Sequence, residues 1–237
     1  MNDFEPTFWR RRHLSRRALI NLSVGLAVVA TATSWGLLRP ALAQKRAAAA
    51  GRAEIPLEEL MQAGPLPELV LGKEDAPVTL VEYASMTCGH CAAFHNKVFP
   101  VLKEKYIDTG KVRFFMREFP LDKLAVAASM LARCAGGDRT LPLISALFAK
   151  QDEWAFVRNN PVPELFKFGK QAGFTQESFD KCLTDQKLMD DIVKIRSLAA
   201  DSFGVTSTPT FFINGKKMTG APTLEEFDKA FSALLKS

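Results

Sequence analysis

Histidine and cysteine are scarce in this chain, with three and four copies in 237 residues. The histidines are His13, His90 and His95, and Cys88 with Cys91 forms the only Cys-x2-Cys pair. A closed zinc site takes four Cys or His ligands. Cys88, Cys91 and His95 have ligand-like spacing and Cys134 is a candidate fourth, but no second Cys-x2-Cys or histidine pair follows. No metal is therefore expected. Haem attachment needs histidine directly after the second cysteine, and Ala92 stands there. Internal repeats are missing, and so are low-complexity tracts apart from one alanine-rich stretch.

Basic charge is also missing where a nucleic-acid binder would need it. The formal charge is +5, but residues 1–43 hold six arginines against Asp3 and Glu5. From Gln44 onward 25 basic side chains face 24 acidic ones, so a charge-driven nucleic-acid partner is not expected. The arginines belong to what reads as an export signal. Arg10 to Arg12 and Arg16-Arg17 form a positive start, Ala18 to Leu38 is apolar, and Ala41-Leu42-Ala43 supplies a cleavage pattern before Gln44. Ser15-Arg16-Arg17-Ala18-Leu19-Ile20 fits a twin-arginine signal except that Leu19 replaces the commoner Phe; an ordinary secretory signal is the alternative. An uncleaved membrane anchor has the required length, but Asn21, Ser23, Thr31, Thr33 and Ser34 dilute it. Export followed by cleavage near Ala43-Gln44 is expected, which puts the rest of the chain where disulfides persist.

What the chain does contain is organised around Ser85-Met-Thr-Cys88-Gly-His-Cys91. An apolar strand-like run, Val78–Ser85, precedes it, and a helix-like run from Cys91 to about Tyr106 follows. A cysteine at a strand-to-helix junction meets unpaired backbone N–H groups and the positive end of the helix dipole. Both favour the thiolate, the nucleophile of thiol–disulfide exchange. Cys91 lies one turn on, within reach of a mixed disulfide held on Cys88.

Residues 44–66 read as a linker, with a short helix at 56–62. Strands are expected at 68–72, 78–85 and 111–119, and Pro100 should kink the intervening helix. From Leu121 to about Phe203 the period is helical, with helices expected at 124–133, 141–154, 163–173, from 175, and at 186–203. Thr210–Ile213, Asn214-Gly215 and Lys216–Met218 read as a hairpin, before a final helix at 224–235.

This order, with Cys88-Gly-His-Cys91, Gly204-Val-Thr-Ser-Thr-Pro-Thr-Phe-Phe212 and Ile213-Asn-Gly-Lys216, resembles the DsbA family of bacterial periplasmic thiol–disulfide oxidoreductases. The wording from Tyr83 to Phe114 is most similar to alphaproteobacterial members. The resemblance covers about Glu68 to Leu235. It implies an α/β, thioredoxin-like fold over 67–237 with an inserted helical domain at about 121–203. It also implies a cis Thr208–Pro209 bond facing the cysteines, whose backbone would pair with an extended substrate. The substrates it implies are exported proteins with cysteine pairs, and the reoxidant a DsbB-type membrane quinone reductase. No dissociable cofactor is implied, and a monomer is expected. Gly89 departs from the proline of the best-known DsbA proteins. A Gly-His pair is what protein disulfide isomerases carry, so isomerase or reductase chemistry is the alternative within the class. A redox-inactive peptide-binding, chaperone-like module is the alternative outside it, and the intact cysteine pair speaks against that.

Four other positions carry expectations. His90 would stabilise the Cys88 thiolate by hydrogen bond or charge and make the pair more oxidising. Glu82 interrupts an apolar strand, and the resemblance assigns it the transfer of the Cys91 proton; the alternative is a solvated strand edge. His95 is expected to be a partly exposed surface residue. Cys134 and Cys182 are expected to form a structural disulfide, with two free thiols or a second redox pair as the alternatives.

Overall fold

A computed structural model describes residues 52–236 apart from Ala63. The expected signal at 1–43 and its cleavage point lie outside the described residues. Five strands form one sheet in the order β1-β3-β2-β4-β5. They are β1 (Leu69–Leu71), β2 (Val78–Ala84), β3 (Val112–Glu118), β4 (Thr210–Ile213) and β5 (Lys216–Thr219). β2 and β3 run parallel, and the other pairs are antiparallel. β2 is central and buried at nearly every position, as its continuous apolar sequence requires.

Helix α1 is Leu57–Leu60, and α2 covers residues 89–107. The other helices are α3 (Lys123–Ala135), α4 (Thr140–Ala149), α5 (Gln151–Trp154), α6 (Val162–Gln171), α7 (Gln176–Leu183), α8 (Gln186–Ser202) and α9 (Leu224–Leu234). The expected helical insertion is therefore α3 to α8, between β3 and β4. Among the described residues no helix is long and apolar enough to cross a membrane.

Alternation along the strands separates two apolar layers. Leu80, Phe114, Met116, Phe211 and Ile213 pack under α2 and α9 with Phe94, Phe227 and Phe231. Val81, Tyr83, Phe115 and Phe212 pack on the other face with Phe203 and Val205.

That second face also corrects the linker. Ile55 and Leu60 are fully buried in it, so the folded unit begins upstream of residue 67. The Ile55 N–H donates to Gly215 O and the Lys217 N–H to Ala53 O, both at 2.8 Å, so the segment pairs with the edge at β5. Buried Arg117 ties it down further, donating to Leu60 O at 2.7 Å and to Glu68 Oε1 at 2.8 Å. The Asn214-Gly215 turn has positive φ at both residues, 47° and 89°. A Cβ at Gly215 would collide with Ile55 O, so the strap as well as the turn demands glycine there.

Two expected helices differ in detail. In α2, α-helical Gly89–Ala93 and Phe99–Leu102 alternate with π-helical Phe94–Val98 and Lys103–Ile107. Pro100 falls in the first turn of the resumed α stretch, where its missing N–H is tolerated. The run 141–154 is not one helix, because Lys150 adopts φ −121°, ψ 29° and ends α4. The chain restarts as α5, turned so that Gln151 is buried.

Cys134 on α3 and Cys182 on α7 form the expected disulfide, with a Cα–Cα distance of 6.1 Å. The alternative of two free thiols does not fit this structure.

Candidate active site

β2 delivers the chain to Ser85, and Met86 and Thr87 turn it into α2. Cys88 is the N-cap residue, and its sulfur accepts from the Cys91 N–H at 3.2 Å. Both thiols are free and buried. The Thr208–Pro209 bond is cis, as expected, and brings Thr208 O to 3.3 Å from the Cys88 sulfur, which donates to it.

The two sulfurs sit in opposite electrostatic situations. Cys88 falls from the ordinary thiol range to about 6. The largest cause is a hydrogen bond from the Cys91 thiol; the Thr208 side chain and the Cys91 and His90 backbone N–H groups add to it, and burial opposes it. A thiolate has no proton to give Thr208 O. The buried Thr208 hydroxyl, without another partner among the described residues, is the donor available to it. Cys91 is pushed up instead, first by burial, then by the Cys88 contact and the Glu82 charge. One cysteine is prepared to attack and the other to stay protonated.

Thiolate absorbance at 240 nm in reduced protein should step with a midpoint near 6. A midpoint at the free-cysteine value of about 8.5 would contradict this site. The same asymmetry sets a stability profile. A lowered Cys88 pKa stabilises the folded reduced protein fully above the unfolded value, and that stabilisation is lost as pH falls through about 6. Cys91 acts oppositely, costing stability only above the unfolded value. Between about 6 and 8.5, reduced protein should therefore gain stability with pH relative to Cys88→Ser.

The structure gathers Cys88, Cys91, Glu82, Thr208 and Pro209. Glu82 is fully buried on the central strand, not at a solvated edge. His90 is exposed, and its backbone N–H is what reaches the thiolate. Gly89 has no steric reason to be glycine, since an added Cβ would meet only Gln151 Oε1 at 4.0 Å. Cys134 is unavailable as a zinc ligand because it is bonded to Cys182. Among the described residues no group of three or more His, Cys, Asp or Glu is placed to hold a metal.

His95 requires a correction. It is buried, stacks on Phe148 at 4.5 Å and lies 2.8 Å from Glu82 Oε2 through Nε2. It sits in the first π stretch of α2, where Phe94 and His95 both turn into the core. Two further contacts hold the redox loop to the helical insertion. Gln151 Nε2 donates to Met86 O at 2.8 Å and to Cys88 O at 3.1 Å. The Thr87 hydroxyl donates to Asp122 Oδ2 at 2.6 Å, and Asp122 also caps α3. Gln151 stands in the polar stretch Lys150-Gln-Asp-Glu153, so the sequence offered no signal for that tether.

Comparison with known proteins agrees with this geometry. A thioredoxin family model matches residues 66–233. The solved Wolbachia pipientis alpha-DsbA1 superposes with a TM-score of 0.69 at 36% identity, covering 77% of this chain and 96% of that one. The chain belongs to the DsbA family. A Rickettsia bellii protein named as a protein-disulfide oxidoreductase is 39% identical over 149 residues, 62% of this DsbA-family chain and 57% of the relative. The chain thus spans a little over half the length of that curated relative. Bacillus subtilis BdbD, at 24% identity and a TM-score of 0.63, shares the fold.

Proposed function

We propose that this chain is a periplasmic thiol–disulfide oxidase that introduces disulfides into exported proteins through Cys88 and Cys91. The observation that carries the reading is the asymmetry of the pair. Cys88 is held as a thiolate at neutral pH, and Cys91 is held as a thiol. A substrate thiolate attacks Cys88 Sγ of the oxidised pair, the Cys88–Cys91 bond breaks, and Cys91 leaves and takes up a proton. The second substrate thiolate then attacks the substrate sulfur bonded to Cys88. Substrate departs as a disulfide and Cys88 remains as thiolate. Two electrons have passed to the enzyme; one substrate proton is matched on Cys91 and the other goes to solvent.

The residues around the pair take supporting roles in this scheme. Thr208 and Pro209 form the platform for extended substrate beside Cys88. His90 strengthens the oxidant, and Glu82 exchanges the Cys91 proton. A DsbB-type membrane quinone reductase would restore the disulfide. A stabilised thiolate lowers the energy of the reduced form, which favours oxidase over reductase chemistry. DsbA itself is the familiar case, at about −120 mV against about −270 mV for thioredoxin.

Equilibration with glutathione redox buffers tests the assignment. A potential well above about −200 mV is expected, and one near −270 mV would reassign the chain as a reductase. His90→Pro should shift the equilibrium toward the reducing end.

A further inference from the structure

The scheme requires a proton to reach and leave Cys91, which is fully buried. Glu82 is equally buried at 0% exposure, so a proton it takes from Cys91 has no direct route out. Its two oxygens differ. Oε2 is engaged by His95 Nε2 at 2.8 Å, whereas Oε1 is buried without a hydrogen-bond partner among the described residues. His95 retains 8% exposure, making it the more solvent-accessible member of the pair.

We propose that His95 is a positioning residue for the redox reaction, acting through Glu82: its Nε2 holds Oε2, leaves Oε1 to exchange protons with Cys91, and passes those protons between the buried carboxylate and solvent. This rests on the proton-transfer role given to Glu82 above.

The surroundings support a dedicated relay. Cys91, on α2, feels the Glu82 charge, and Cys88 at the helix N-cap lies beyond it. β3 and β4 present Met116 and Phe211 in register with Glu82, and neither titrates. The imidazole is enclosed by Phe94, Phe99 and Phe148. Ring packing therefore holds Nε2 on Glu82. A π-helical turn carries the histidine, and such turns are frequent at functional sites.

During reoxidation the Cys88 thiolate first attacks one sulfur of an external disulfide; that S–S bond breaks, its other sulfur leaves as a thiolate, and a mixed disulfide forms on Cys88. Cys91 then gives its proton to Glu82 Oε1 and attacks Cys88 Sγ. The Cys88–Cys91 bond forms, the bond to the outside sulfur breaks, and the departing thiolate is protonated by solvent. Glu82 then turns its protonated oxygen to His95 Nε2 and returns to the carboxylate as the imidazole takes up that proton and gives one to solvent. In substrate oxidation the proton travels the other way, to the leaving Cys91 thiolate.

The two steps are separable by reacting reduced protein with oxidised glutathione and quenching in acid. Mass analysis then counts mixed disulfide and closed disulfide. His95→Gln should leave formation of the mixed disulfide unchanged. It should slow its resolution at least tenfold at pH 7, with a rate that climbs steeply with pH as hydroxide takes over. Glu82→Gln should slow the same step. Resolution at the wild-type rate and pH profile in His95→Gln overturns the proposal. If Glu82→Gln alone is slow, the role of Glu82 stands without His95; if neither is slow, both roles fall.

Discussion

Cys88→Ser is expected to reduce both dithiol oxidation and insulin-disulfide exchange to the uncatalysed background. A serine hydroxyl cannot enter a disulfide, and at neutral pH it is not ionised. Cys88 is the sulfur at the helix N-terminus with its pKa near 6, so no other group replaces it. Cys91 cannot, because burial and the Glu82 charge keep it protonated. The companion Cys91→Ser should behave differently. It keeps the nucleophile and loses the resolving thiol, so mixed disulfides between Cys88 and substrate should accumulate. Gel shift under non-reducing conditions and mass analysis read both outcomes. Normal activity in Cys88→Ser would end the redox assignment, whereas accumulation on Cys88 in Cys91→Ser would fix the order of attack.

The largest stability effect is expected from the second pair. Replacing Cys134 and Cys182 together by alanine opens a link across 48 positions. The chain-entropy model assigns such a link about 4 kcal/mol. For a domain of this size that corresponds to a fall in Tm of roughly 8–16 °C. The bond joins α3 to α7 inside an apolar cluster with Met130 and Ile192, far along the chain from the redox loop. Calorimetry of the oxidised double variant against wild type measures the difference, and an unchanged Tm would show that the bond adds no stability.

These expectations draw unequally on sequence and on structure. The strand-turn-helix setting of Cys88 and Cys91 was visible as an apolar run, two cysteines and a helical period. Every strand appeared within a residue or two of its expected place, because apolar runs and the Asn214-Gly215 turn are local signals. The cis Thr208–Pro209 bond was implied by family resemblance and not by any local rule. The linker was misjudged for a physical reason. Ile55 and Leu60 are too few to show a period, yet two apolar side chains and two edge hydrogen bonds suffice to dock a strap on β5.

His95 marks the boundary most clearly. An isolated histidine one turn past the cysteines reads as solvated, although its neighbours a turn away, Cys91, Ala92, Val98 and Phe99, are apolar and place it on a core-facing stripe. A π-helical turn and an unfilled carboxylate on β2 make it a core residue instead. Gln151 is similar, reaching Cys88 O from 63 positions away only because α4 breaks at Lys150. The sequence by itself determined the redox chemistry, the order of elements and the position of the nucleophile, since these depend on residue type and neighbouring residues. Only the tertiary structure decided which groups carry the proton and hold the loop, since those partners are set by packing between distant segments of the chain.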